Sequence, residues 1–182
     1  MIKHPFIYQS NYRALAYTLL HPLGLYSTDM IYTVSDFVCV QHDWDRGVLR
    51  HRWNGVERFA GLSLFQSVHE SLLELAQQYH ATCWLVELSA APLAVEDQLW
   101  LEETWIPALA DTDVRRIAVV ADDPYNLMVL EGLLPVGHSL QRILQFFADP
   151  MTALEWLTGS DAVAGQLQQE WEASVEPGML SP

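Results

Sequence analysis

The stretch CWLVELS, residues 83–89, together with RRIAVV, residues 115–120, decides the fold. Each run is almost wholly apolar, too short for a helix and bounded by turn residues, as a buried central strand should be. Between them Pro92 and the acidic pair Glu96 and Asp97 introduce a helix, where negative charge suits the N-terminal dipole. That helix is expected to run to about residue 106, with Pro107 bending or closing its end. Strand, helix, strand in this order predicts two parallel strands lying side by side under a helical cover.

Working outward toward the N-terminus, residues 60–79 read as the clearest helix. Leu62, Phe65, His69, Leu72, Ala76 and Tyr79 recur at intervals of three or four, opposite Glu70, Glu74, Gln77 and Gln78. Before it, MIYTVSDFVCVQHDW is apolar on both alternating faces, which predicts one strand covered on two sides. The turn DWDRG reverses the chain into VLRHRWN, where Val48, Arg50 and Arg52 oppose Leu49, His51 and Trp53, making a hairpin. Residues 10–20 read as a short helix capped by Ser10 and ended by Pro22 and Gly24.

Toward the C-terminus, ADDPYN is a turn, residues 125–133 a short helix and QRILQFF (141–147) another strand. DPMTALEWLTG is a helix with Asp149 as its cap, Pro150 at its first position and Gly159 as its stop. The expected organisation is an N-terminal helical extension (1–29), an α/β domain (30–159) and a tail (160–182) holding one weak helix before fraying. The domain's core is a mixed β-sheet of about five strands, with an N-terminal hairpin and helices packed on it.

The chain has 182 residues, of which 51% are hydrophobic, enough for a packed core. Nine basic against 23 acidic side chains give a formal charge of −14, which argues against a nucleic-acid partner. Lys3 is the only lysine, so a P-loop, a Schiff base and a lysine-based kinase site are excluded. Residues 1–60 carry a net +1 and residues 61–182 a net −15. That asymmetry reads either as a solvated acidic surface or as an Arg-bearing hairpin of one subunit meeting an acidic face of another. Cys39 and Cys83 lie in strand-like runs and read as buried, reduced thiols of a cytoplasmic protein. His4, Gln9, Asn11 and Arg13 interrupt the opening apolar residues, so no signal peptide is expected, and no membrane span either.

Candidate chemistry gathers at the ends of the two central strands. Parallel strands would put Glu87 and Ser89 on one edge with Asp122, Asp123 and Tyr125, where α/β sheets bind ligands. Carboxylates converging there can bind a divalent cation or do acid/base work. The plainer reading makes Asp122-Asp123-Pro124 turn chemistry and Glu87 an acceptor for backbone amides. His42, Asp43, Asp45 and His51 flank the hairpin turn at a spacing that matches no standard zinc site. His69 reads as a satisfied core histidine, and Cys83 has no nearby cation to activate it. Trp100 and Trp105, five apart, do not share one stripe of an α-helix, so one of them is a candidate interface anchor.

The run CWLVELSAAPLAVEDQLWLEETWIPAL, then RRIAVVADD, then QRILQFFADPMTALEWLTG, with Trp53-Asn54-Gly55 closing the hairpin, resembles the SpoIIAA-like STAS/SEC14 domain proteins of bacteria. The likeness is strongest to a branch common in Bacteroidetes and covers roughly residues 30–158. It implies a STAS-like fold and a non-catalytic switch, phosphorylated in some members on a serine just after the central strand. Ser89 lies near that place, but Glu87-Leu88-Ser89-Ala90 lacks the family's Asp-Ser pair and following Gly. The SEC14 side of the family implies lipid binding, though a domain of this size has little room for a large enclosed cavity. The expectation is a non-enzymatic, cofactor-free, homodimeric binding or regulatory module, acting through protein contact or a small apolar ligand. The alternatives are a metal-assisted carboxylate enzyme at Glu87, Asp122 and Asp123, and a lipid or fatty-acid binder.

Overall fold

The computed structural model describes residues 29–33, 38–53, 64–88, 94–121, 123–133 and 144–179. The helix expected at 10–20 lies outside them. The elements in chain order are β1 (Asp29–Thr33), β2 (Val38–Asp43), β3 (Val48–Trp53), α1 (Leu64–Gln78), β4 (Cys83–Leu88) and α2 (Val95–Trp100). A π-helical turn (Leu101–Trp105) then leads into α3 (Ile106–Leu109), β5 (Arg116–Ala121), α4 (Pro124–Leu133), β6 (Leu144–Phe147), α5 (Pro150–Thr158) and α6 (Asp161–Met179).

The six strands form one sheet whose spatial order is the chain order, β1 to β6. β1, β2 and β3 pair antiparallel, and β3 through β6 run parallel. β4 and β5 are direct neighbours, with Cys83 opposite Arg116 and Leu88 opposite Ala121, as the two opening stretches require. The architecture is therefore α/β with a mixed sheet.

Pleat alternation divides most of the described inward apolar side chains between two cores, with Cys39 apart beside Trp171. Val38, Val40, Leu49, Trp53, Trp84, Val86, Leu88, Ile117 and Val119 face α1, the π turn and α3. Val48, Cys83, Leu85, Ala118 and Val120 face α5 and α6. Each fully buried Val or Leu stabilises the fold by roughly 1.5–3 kcal/mol. The layering follows from connection handedness. Right-handed crossovers that step always to the next strand must all fall on one face, leaving the other to the C-terminal helices.

Three expectations need correction. The run read as one strand holds two, Asp29–Thr33 and Val38–Asp43, paired antiparallel with Thr33 opposite Cys39, so the sheet has six strands rather than about five. The run is apolar on both faces, and its one turn signal, Ser35-Asp36, is weak. The helix from Val95 does not close at Pro107 but continues to Leu109. Proline has no N–H, and the π turn ahead of it shifts the bonding to i→i+5, with Ile106 N donating to Leu101 O. Third, residues 161–179 form a 19-residue helix rather than a weak one. By contrast, α5 has the expected ends: Asp149 accepts from Thr152 N, Pro150 follows the cap, and Gly159 closes it at φ 67°.

Candidate functional site

The structure sends the strand-end residues to separate tasks. Glu87 projects from β4 toward the α5/α6 side, where its Oε1 accepts from Arg50 Nε at 2.5 Å. Asp123 Oδ1 accepts from Tyr125 N at 2.8 Å, an Asx turn that opens α4. Tyr125 Oη accepts from Gln98 Nε2 at 3.0 Å, tying α4 to α2. Ser89 and Asp122 lie outside the described residues. A strand order without reversal also lacks the switch point at which α/β sheets open a crevice.

Arg50 is the centre of the first polar cluster. Its guanidinium lies 4.0 Å over the ring of Trp171 from α6, and its Nη1 donates to Gln168 Oε1 at 3.0 Å. Arg52 lies over the same indole at 5.2 Å. Burial lowers the pKa of Arg50, and the Glu87 carboxylate beside it pulls the other way. The expected meeting of an Arg-bearing hairpin with a second subunit does not involve Arg50. It is buried inside its own chain, and its carboxylate partner belongs to that chain.

A second cluster lies on the opposite face of the sheet. Trp84 Nε1 donates to His51 Nδ1 at 3.0 Å, and His69 Nδ1 donates to the carbonyl of Phe65 at 2.9 Å. Burial holds His69 at about 4 and His51 well below its ordinary value. Trp105 stands against both Trp84 and His69. Trp100 packs edge-on to Phe65 at 6.4 Å, half-buried against the same core. The expected divergence of Trp100 and Trp105 is thus corrected, because i→i+5 bonding returns residues five apart to one side. Neither tryptophan is an exposed anchor. His42 stacks on Trp44 at 3.4 Å, and Asp43 pairs with Arg46 within the hairpin turn.

The exposed apolar surface is elsewhere. Val95 and Leu99, four apart on α2, are 62% and 51% exposed, and Tyr125 and Met128, three apart on α4, are 40% and 62% exposed. The Gln98–Tyr125 bond holds the two helices together. Glu103, four beyond Leu99, and Glu131, three beyond Met128, carry acid along the same helical rows. Sequence reasoning reached Tyr125 but missed the other three. The signal was the i, i+4 pair Val95/Leu99 on a helix whose buried row runs through Leu101, Trp105 and Leu109.

No family model, curated protein or solved structure matches this chain. Among the described residues, no helix is long and apolar enough to cross a membrane.

Proposed function

We propose that this chain is a non-enzymatic binding module of STAS-like kind, docking a protein partner on the α2/α4 face. The observation that carries this reading is the set of exposed apolar side chains Val95, Leu99, Tyr125 and Met128 on two helices bonded to each other. Apolar surface of this sort, edged by charge, marks an interaction site. The Glu103 and Glu131 edges favour a partner that offers an apolar strip flanked by Lys or Arg. They disfavour a second copy, which brings the same acids and a formal charge of −14. The resemblance to STAS domains, which act by contact rather than catalysis, supports the same reading.

The test uses an 18-residue Leu/Lys amphipathic helix as the probe, titrated by calorimetry at two salt concentrations. The double variant Leu99→Ser/Met128→Ser is expected to weaken binding about tenfold, the equivalent of ~1.4 kcal/mol of apolar contact. Unchanged binding in that variant would mean charge alone attracts the probe, and the face is not a docking site. A wild-type dimer in light scattering that the double variant dissolves would assign the face to a second copy instead.

A further inference from the structure

Helix α6 is held in two different ways along its length. Up to Leu167 it is anchored by apolar packing, because Ala164 and Leu167 are fully buried in a core they share with α5, β4 and β5. Beyond Leu167, Trp171 is the fully buried one among the described side chains, and the buried apolar neighbour it meets is Cys39 on β2. The remaining described contacts are polar. Gln41 Nε2 donates to the carbonyl of Leu167 at 3.0 Å, and Arg50 Nη1 donates to Gln168 Oε1 at 3.0 Å. The Arg50 and Arg52 guanidiniums lie over the Trp171 ring at 4.0 and 5.2 Å.

A contact of this kind loses little on opening. Water replaces amide and guanidinium hydrogen bonds almost in kind, so their net contribution to stability is small. Trp171 Nε1 is sealed without a hydrogen-bond partner and gains one from water once uncovered. Burial is the largest influence on Arg50 and opposes its charge, so rehydration favours the guanidinium while Glu87 stays beside it on β4. Segments with few buried apolar contacts open at free energies below that of global unfolding. The first half of α6 has the opposite character, since lifting it would expose Leu85, Leu154 and Leu157 of the same core.

We propose that α6 beyond Leu167 is a strap that lifts from the sheet as a unit while the rest of the fold stays closed, uncovering the Gln41, Arg50 and Arg52 face of β2 and β3. Two guanidiniums against the one Glu87 carboxylate make that face cationic, so the strap masks a cationic surface in a chain of formal charge −14. The strap and the α2/α4 docking face are separate, and neither depends on the other.

The chain's two cysteines report the two halves of the covered face. Cys39 lies under Trp171, whereas Cys83 lies under α5, its Sγ donating to the carbonyl of Leu157 at 3.4 Å. The experiment is pulsed alkylation of the full-length chain with N-ethylmaleimide in native buffer, read at each cysteine by peptide mass spectrometry. Cys39 is expected to label about tenfold faster than Cys83, or more. Trp171→Leu keeps the position apolar but removes the ring under the guanidiniums, and is expected to speed Cys39 about tenfold further with Cys83 unchanged. A common rate for the two cysteines, or no labelling of either, overturns the proposal, because Cys39 is then reached only by unfolding of the whole sheet. Fast Cys39 labelling that is indifferent to Trp171→Leu places the opening at the β1 edge and overturns it equally. Where that variant does not fold, amide exchange of the wild-type chain decides. One shared rate across residues 171–178, faster than in α5, supports the strap, and a gradient decaying from the C-terminal end is fraying and overturns it.

Discussion

Arg50 occupies an inward position on β3, on the strand face it shares with Val48 and Arg52, whereas the sequence reading makes the arginines of this hairpin a surface for a partner. Its partner was harder to read. Glu87 lies on β4 opposite Arg52, while Arg50 faces Leu85, so the ion pair runs diagonally across the parallel register. Only the strand pairing reveals it. The same ignorance of register made Glu87 look like a strand-end acid, when it is a buried counter-charge with Trp171 covering the guanidinium. The consequence is testable. Glu87→Ala leaves an uncompensated buried cation and is expected to destabilise the protein by about 3–5 kcal/mol in urea unfolding. Arg50→Met/Glu87→Leu removes both charges at similar volume and should recover most of that loss. If the double variant is no more stable than the single one, the pair is holding the sheet by geometry rather than by charge balance.

At the scale of elements, sequence legibility followed how strictly each segment kept its period. The α5 cap, first-turn proline and terminal glycine were all readable, because capping is local chemistry written within ten residues. The π turn was not readable. Nothing in LEETW departs from helical composition, and the shift to i→i+5 bonding emerges only as Trp100 and Trp105 seek the same core. Helix α6 was understated because its buried row is thin: among its described side chains, Ala164, Leu167 and Trp171 are the fully buried ones, set between Gln and Glu. Its weight falls on one residue. Leu167 and Ala164 join the α5 core, whereas Trp171 sits apart with Cys39 over Arg50 and Arg52. Trp171→Ala is therefore expected to cost about 3–5 kcal/mol and to accelerate amide exchange along the C-terminal half of α6. Exchange unchanged there would show that α5, not the sheet, anchors the helix.

For the whole molecule, the two cores are separated by a sheet that carries polar groups on both sides, and this sets the response to acid. On the α1 side, His42 stacks between its own strand and Trp44, beside the Asp43 carboxylate, with a pKa lowered by burial to about 4. His69 is lowered to about 4 and His51 well below its ordinary value, also by burial. In the unfolded chain all three titrate near 6.5. Between pH 6.5 and 4 the unfolded state therefore binds protons that the folded state refuses. Stability is complete above pH 6.5 and falls as the pH drops through this window, by as much as about 1.4 kcal/mol per pH unit for each histidine. Carboxylates do not produce this slope, because their ordinary values lie below most of it. Chemical denaturation between pH 7 and 5 should show the decline, and His69→Gln, which keeps a side-chain donor for the Phe65 carbonyl, should flatten it by about a third. A stability that stays level down to pH 5 would mean that the imidazoles are protonated in the fold, and the tautomers assigned to His51 and His69 would then be wrong.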